Sequence, residues 1–414
     1  MRILQLCHKP PFPPVDGTAI AMSNLTRGLI KNGAQIDLLA MNTYKQYCIK
    51  ENQELFEKEV GSYTLVDIDI RIKAIDAFKN LFTKESYNIS RFVSDDFQKR
   101  LITYLEENQY DVVLFDSLFT APYVDLVKSK HSGLIVHRSH NVEFCIWENL
   151  AKNEKNLLRK TYLNFLSRRL KKFELSVLTS FDLIATISEA DHNTYKRNGV
   201  KTNLYHLPFG INLSDYTVSK PTGNQRLKLY HVGSMNWIPH QEAFRWFFDF
   251  VWSRLSHLED SLELHLAGTA MPNWIKEKAS ANVFISDGYV EGNEFSKDKD
   301  LLIVPSFSGS GIRIKIIEAM AAGKPIITTD NGAMGITYNS GENILICDSY
   351  KEWIYSITEL VKLPQKRESI GLNARQFCSD NHDFIKIANQ FIVKLNSVKE
   401  SRFLYSSTRD VKRI

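Results

Sequence analysis

Between Val304 and Ile336 the chain reads VPSFSGSGIRIKIIEAMAAGKPIITTDNGAMGI, the stretch whose residue types and spacing best support chemistry. The apolar run ending at Val304-Pro305 predicts a strand, Gly309 and Gly311 predict a turn, and a helix is expected from near Arg313 through Glu318 to Gly323, before a second strand. Strand, glycine turn and helix in that order build an anion site, because small residues let backbone N–H groups approach a phosphate at the positive end of the helix. Arg313 and Lys315 add fixed charge at that mouth. Glu318 lies about 8 Å further along, at 1.5 Å rise per residue, where a carboxylate can accept hydrogen bonds from a ribose diol. Phosphate donors in front and a diol acceptor behind describe a pocket for a nucleoside diphosphate. Each residue also has a plain structural reading: an acidic side chain early in a helix is favoured by the macrodipole, and the two basic residues could cap the solvent side of the helix start.

These residues need a scaffold, and the rest of the chain is patterned to supply one. At 414 residues it is too long for one ordinary core and suits two domains of about 200 residues each. In the first half, Arg2 to Cys7, Gln35 to Ala40, Asp111 to Phe115, Gly133 to His137 and Asp182 to Ile187 read as buried strands. They alternate with helical patterns at Ala19 to Lys31 and Asp95 to Asn108 and along a basic helix near 154–178, as a parallel sheet with crossover helices requires. The polar stretch SKPTGNQ, Ser219 to Gln225, interrupts the pattern and predicts a domain boundary. Beyond it the alternation restarts with LKLYHVG, a helix around Gln241 to Arg254, then LELHLAG, NVFISDG and DLLIVPS. The fold class expected is therefore α/β, with two Rossmann-like βαβ domains, residues 1–218 and 226–383, facing each other across a cleft, and a C-terminal helix and tail at 384–414.

Composition excludes several function classes. A net charge of +5 is too small in a chain of this size to imply nucleic-acid binding. The five cysteines are scattered without a CxxC pair, so neither a disulfide frame nor a zinc site is indicated. No metal constellation stands out either, since Asp67-Ile68-Asp69 falls inside a strand-like run. No apolar run reaches the roughly 18 residues that span a bilayer, and MRILQLCHKPPFPP reads as a first strand rather than a signal peptide, so a cytoplasmic location is expected. The helix at 154–178 carries Lys155, Arg159, Lys160, Arg168, Arg169, Lys171 and Lys172 opposite an apolar stripe. Such a face is either a solvated outer surface or a peripheral contact with anionic membrane, worth about 1 kcal/mol per basic residue.

The 304–336 segment resembles the signature of the family 4 glycosyltransferases, retaining GT-B-fold enzymes that use nucleotide-activated sugars, and more narrowly a bacterial branch reading GSGxRxKxxEAMAxGKP that is often found among enzymes of cell-surface polysaccharide synthesis. PPFPPVDG, RSHNVE, DLIATIS, LPFGIN and HVGSMNWIPH follow in that family's order. The resemblance implies that Glu318 is the second glutamate of an E-x7-E motif and holds the ribose. The first position is Ser310, which cannot place negative charge beside a developing oxocarbenium. The usual Arg-x4-Lys pair is replaced by Ser234 and Pro239, so Arg313, assisted by Lys315, is expected to clamp the diphosphate. His140 matches the histidine placed beneath the donor sugar, which makes His140 and Glu318 the catalytic candidates. His137, three residues earlier, is a lesser one. Gly17, Gly233, Ser234, Ser310, Gly311 and Ile312 complete the expected donor contacts, with Gly288 to Val290 offering backbone to the base.

The resemblance also implies a glycan or lipid-linked acceptor, no cofactor beyond the nucleotide-sugar co-substrate, no metal, a last helix crossing back to the first domain, and domain closure on substrate. The alternative is a GT-B-fold binding or scaffold subunit of a glycan-assembly complex, weakened in catalysis by the loss of its first motif glutamate.

Overall fold

Short apolar runs bounded by polar turns become thirteen parallel strands in two sheets in the computed structural model, which describes residues 1–218, 226–236, 238–309 and 311–410. The first sheet contains β1 (Arg2–Cys7), β2 (Gln35–Thr43), β3 (Ser62–Ile68), β4 (Val112–Asp116), β5 (Leu134–Ser139), β6 (Leu183–Thr186) and β7 (Asn203–His206), in the order β3-β2-β1-β4-β5-β6-β7. The second contains β8 (Leu227–Val232), β9 (Leu262–Gly268), β10 (Val283–Asp287), β11 (Leu301–Val304), β12 (Ile326–Thr328) and β13 (Leu345–Ile346), in the order β10-β9-β8-β11-β12-β13. Both are doubly wound: the strand order reverses beside β1 and beside β8, and ligands of such sheets bind outside the carboxyl ends of strands at that point.

Period-two burial explains the layers of the first unit. Leu4 and Leu6 face one core with Val113 and Phe115, whereas Ile3 and Cys7 face the other with Val112 and Leu114. The second core is closed by helix Gly17–Lys31 and by the last helix, Phe384–Asp410, which contributes Ile387, Ala388, Phe391 and Leu395. Lys399 Nζ reaches Asp111 at 2.6 Å, and Arg402 reaches the carbonyl of Gly133 at 2.7 Å.

The compact units are Met1–Gly210 with the chain from Phe384 onward, and Ile211–Asp383. Residues 211–218, grouped with the first domain in the sequence reading, pack with the second unit. There the amide of Ile211 donates to the carbonyl of His382 at 2.7 Å, and Arg375 donates to the carbonyls of Leu213 (3.0 Å) and Tyr216 (3.2 Å). The proposed linker at 219–225 lies outside the described residues. The helix expected from Gln241 to Arg254 is continuous but changes winding, from α at Ile238–Trp246 through a π-helical turn at Phe247–Val251 to a 3-10 turn at Trp252–Arg254. Among the described residues no helix is long and apolar enough to cross a membrane.

Candidate functional site

In the second unit the site residues gather where β8 and β11 end. The loop after β11 turns through Gly309 (φ 107°) and Gly311 (φ 84°), conformations that a side chain would strain, and the eight-residue helix Ile314–Ala321 begins beyond it. Arg313 is buried and folds back on this loop. Its guanidinium donates to the carbonyl of Gly311, to Ser306 Oγ at 3.1 Å and to the carbonyl of Ser308 at 3.4 Å. A planar fork spanning three loop acceptors fixes the shape of the glycine turn. Ser310 lies outside the described residues, as does Trp237. Ile312 is half-buried between the turn and Arg313.

Lys315 points the other way, toward β8. Its Nζ stands 3.0 Å from Nε2 of His231, whose Nδ1 lies 2.8 Å from the carbonyl of Ile303. That carbonyl can only accept, so Nδ1 carries the proton and Nε2 accepts from the lysine. A Cβ added to Gly233 would come within 2.6 Å of Lys315 Nζ, so the ammonium occupies the space left by this glycine. Gly268 (φ 147°) crosses the same point so closely that a Cβ there would meet the Gly233 carbonyl oxygen at 1.9 Å. Burial, then the nearby Arg313 charge, pull the Lys315 pKa down to about 7, with Glu318 opposing. His231 is held neutral by burial and by Lys315. Ser234 is exposed, and its carbonyl lies 3.1 Å from Nδ1 of His240.

One turn beyond Lys315, Glu318 accepts a hydrogen bond from Tyr216 Oη at 3.3 Å. Burial raises its pKa, and the tyrosine bond and Lys315 oppose the rise. The carboxylate therefore has a hydroxyl donor on one side and a cation on the other, with the backbone of Gly292 nearby. Gly288 ends the β10 strand, with its amide bonded to the Gly268 carbonyl at 3.0 Å.

The first unit holds a separate network at the carboxyl ends of β4 and β5. Nε2 of His140 lies 2.6 Å from Oδ1 of the fully buried Asp116, whose other oxygen accepts from Gln5 at 2.7 Å and from Arg138 at 3.4 Å. Burial would raise the Asp116 carboxyl, but Arg138 and His140 hold it well below its ordinary value. Burial lowers His140 while Asp116 supports its charge. His137 instead packs in the core, its ring 5.1 Å from Phe181, and burial depresses it to about 3. Gly17 opens helix Gly17–Lys31 behind Asp16, whose side chain caps the Ala19 amide at 2.9 Å and pairs with Lys9 at 2.6 Å. The RSHNVE loop is tied down by Glu174, from helix Leu157–Val177, which accepts from the amides of Glu143 and Phe144 and from Tyr195 Oη at 2.6 Å.

Reasoning from sequence missed Tyr216, Asp116, Glu174 and the task of His231. Asp116 carried a signal, since an acid ending the buried run VVLFD has to be paired. Tyr216 and His231 carried none, being 102 and 84 residues from the side chains they hold. Among the described residues no group of three or more His, Cys, Asp or Glu side chains is placed to hold a metal ion.

Comparison with known proteins adds to this geometry. Over 413 residues the chain is 22% identical to an uncharacterized 44.6 kDa protein in the cps region of Klebsiella pneumoniae, covering 93% of this chain and 97% of that one. A stretch of 77 residues is 34% identical to a D-inositol 3-phosphate glycosyltransferase of Rhodococcus opacus, covering 18% and 17% of the two chains. Anabaena HepE, solved in complex with UDP and glucose, matches with a TM-score of 0.63 at 14% identity over 96% of this chain and 100% of its own. Sucrose-phosphate synthase from Thermosynechococcus elongatus matches with a TM-score of 0.68 at 15% identity over 98% and 100%. Residues 226–362, which include the Lys315, His231 and Glu318 cluster, match the family of glycosyl transferases group 1, and the chain as a whole has the GT-B fold.

Proposed function

We propose that this enzyme moves a sugar from a nucleoside-diphosphate sugar to a hydroxyl acceptor with retention of anomeric configuration, in the synthesis of cell-surface polysaccharide or glycolipid. The observation that carries the donor half is the Lys315 ammonium, held by His231 over Gly233 at the mouth of the glycine loop, with Glu318 one turn along the same helix. In this reading Lys315 neutralises the leaving diphosphate, Arg313 shapes the loop whose amides face it, and Glu318 accepts from the ribose diol. The bond from the anomeric carbon to the phosphate oxygen breaks as the acceptor oxygen attacks from the same face, and the acceptor proton passes to the leaving phosphate. Side-chain and helix-end charge thus do the work a metal would otherwise do. His140, fixed by Asp116, is the catalytic candidate that the first unit supplies. The polysaccharide context is supported by the cps-region relative, and the donor class by the UDP bound in HepE.

Peripheral membrane contact is part of the same proposal. Helix Leu157–Val177 presents Leu157 and Leu158 beside its basic residues, and Arg169 holds the end of helix Ala74–Asn80 through the carbonyls of Asn80 and Leu81; along and around that helix Ile72, Ile75, Phe78 and Phe82 are exposed among lysines.

Thermal unfolding with UDP and GDP tests the donor half, since a ligand at 100 times its Kd adds about 2.7 kcal/mol. One of the two should stabilise the native chain and fail to stabilise Glu318→Ala, and slow hydrolysis of the matching sugar nucleotide should be detectable. Stabilisation by neither, or full turnover in Glu318→Ala, would remove the pocket.

A further inference from the structure

Beyond the carboxyl ends of β1, β2 and β3 the first unit contains a cavity of about 320 Å³, at the small end of the range of roughly 300–1,000 Å³ typical of ligand sites. One wall is aromatic: Phe92 and Phe119 stack at 4.5 Å and the His8 ring lies 5.3 Å from Phe119. The other is cationic. Lys9 is neutralised by Asp16 at 2.6 Å, but among the described residues no carboxylate lies within ion-pair distance of Lys45 or Arg91, both of which line the cavity. Arg91 is oriented by bonds from Nη1 to the carbonyl of Ile70 at 2.8 Å and from Nε to the carbonyl of Tyr87 at 3.4 Å, and rests against Phe92. Asn88 is 3% exposed, lines the same cavity, and its amide nitrogen has no partner.

Two uncompensated cations and an orphaned buried donor beside stacked rings are poorly matched to a neutral sugar, which would leave them desolvated without charge compensation. A pyranose bearing an anion satisfies both walls at once. We propose that this cavity binds the acceptor as an acidic sugar, its ring against Phe92 and Phe119 and its carboxylate or phosphate held by Lys45, Arg91 and the Asn88 amide. The word acceptor rests on the transferase reading given above; the anionic specificity of the cavity does not.

Ligand-observed NMR titration of the full chain with methyl glucoside, methyl glucuronide and methyl glucoside 6-phosphate tests this, because the three differ mainly in charge at one end. At least one charged probe should bind about tenfold or more tighter than the neutral one, the equivalent of one charge-assisted contact. Whether the glucuronide or the phosphate leads identifies the anion as carboxylate or phosphate. Lys45→Gln and Arg91→Gln should each bring the preference toward parity while leaving stabilisation by UDP or GDP unchanged. Equal binding of neutral and charged probes, or a preference that survives both substitutions, overturns the proposal. Should Arg91→Gln fail to fold, Lys45→Gln decides alone, since Lys45 is exposed on a turn. A preserved anionic preference in a chain that binds no nucleotide would sink the transferase reading and leave the cavity standing.

Discussion

The proposed seat of the diphosphate on Lys315 would tie nucleotide affinity to pH in a way that can be measured. The Lys315 pKa is pulled from an ordinary 10.5 to about 7 by burial and by Arg313, so near neutrality the empty site holds its proton only part of the time. A bound diphosphate restores the charge: at about 4 Å and an effective dielectric of 20, a single charge pair is worth about 4 kcal/mol before desolvation. After desolvation, a hydrogen bond to a charged group is worth about 1.5–3 kcal/mol, a ten- to hundredfold change in Kd. Binding thus takes up a proton above pH 7, and affinity should fall by up to tenfold per pH unit between about pH 7 and 9. Calorimetric titration of UDP or GDP at pH 6.5, 7.5 and 8.5 into the native chain and Lys315→Met reads this directly. The variant should bind ten- to hundredfold more weakly at pH 6.5, show little slope, and converge with the native chain at pH 8.5. A variant that binds as tightly as the native chain at pH 6.5, or that keeps the same slope, would refute the assignment of the diphosphate charge to Lys315.

Three further outcomes follow from the same network. Burial raises Glu174 from 4.5 to about 8, so between those values the folded chain holds a proton that the unfolded chain has released, and stability contributed here falls as pH rises through that window. In urea unfolding at pH 5.5 and 8, Glu174 should contribute a slope of up to about 1.4 kcal/mol per pH unit, which Glu174→Gln removes, leaving the part due to Glu143, which burial lifts to about 7. Asp116→Asn removes the counter-charge of Arg138 and His140 in a fully buried site and should cost about 3–5 kcal/mol by chemical denaturation; an unchanged midpoint would mean that Arg138 finds another partner. Gly268→Ala forces a methyl into the Gly233 carbonyl, and strand β9 must shift, at about 1–3 kcal/mol, with nucleotide binding lost because Lys315 loses its seat; retained affinity would show that the crossing of these two glycines does not shape the pocket.

Which parts of this arrangement were readable beforehand follows from range. β1, β2 and β4 are largely apolar runs recognisable by composition, since a parallel strand buried on both faces is mostly apolar along its length, whereas β8 and β9 are recognisable by the period-two alternation of LKLYHV and LELHLAG. β13, two residues long, owes its existence to its neighbour β12 rather than to any pattern of its own. Helix 314–321 was legible because its turn, charges and acid lie within ten residues, and helical spacing then dictates which of them share a face. What the pattern could not supply was direction. Arg313 and Lys315 are two residues apart and so leave the helix on different sides, yet only the acceptors that surround each decide their tasks. Arg313 meets carbonyls and Ser306 of its own loop, whereas Lys315 meets an imidazole from β8 that is already turned by the Ile303 carbonyl. A cation spent on loop carbonyls has fewer donors left for a phosphate than one held by a single neutral nitrogen over a glycine. On the proposed reading the diphosphate charge therefore falls to the lysine rather than to the arginine, and the lysine, whose charge is the more labile of the two, is the residue whose titration should report the state of the pocket.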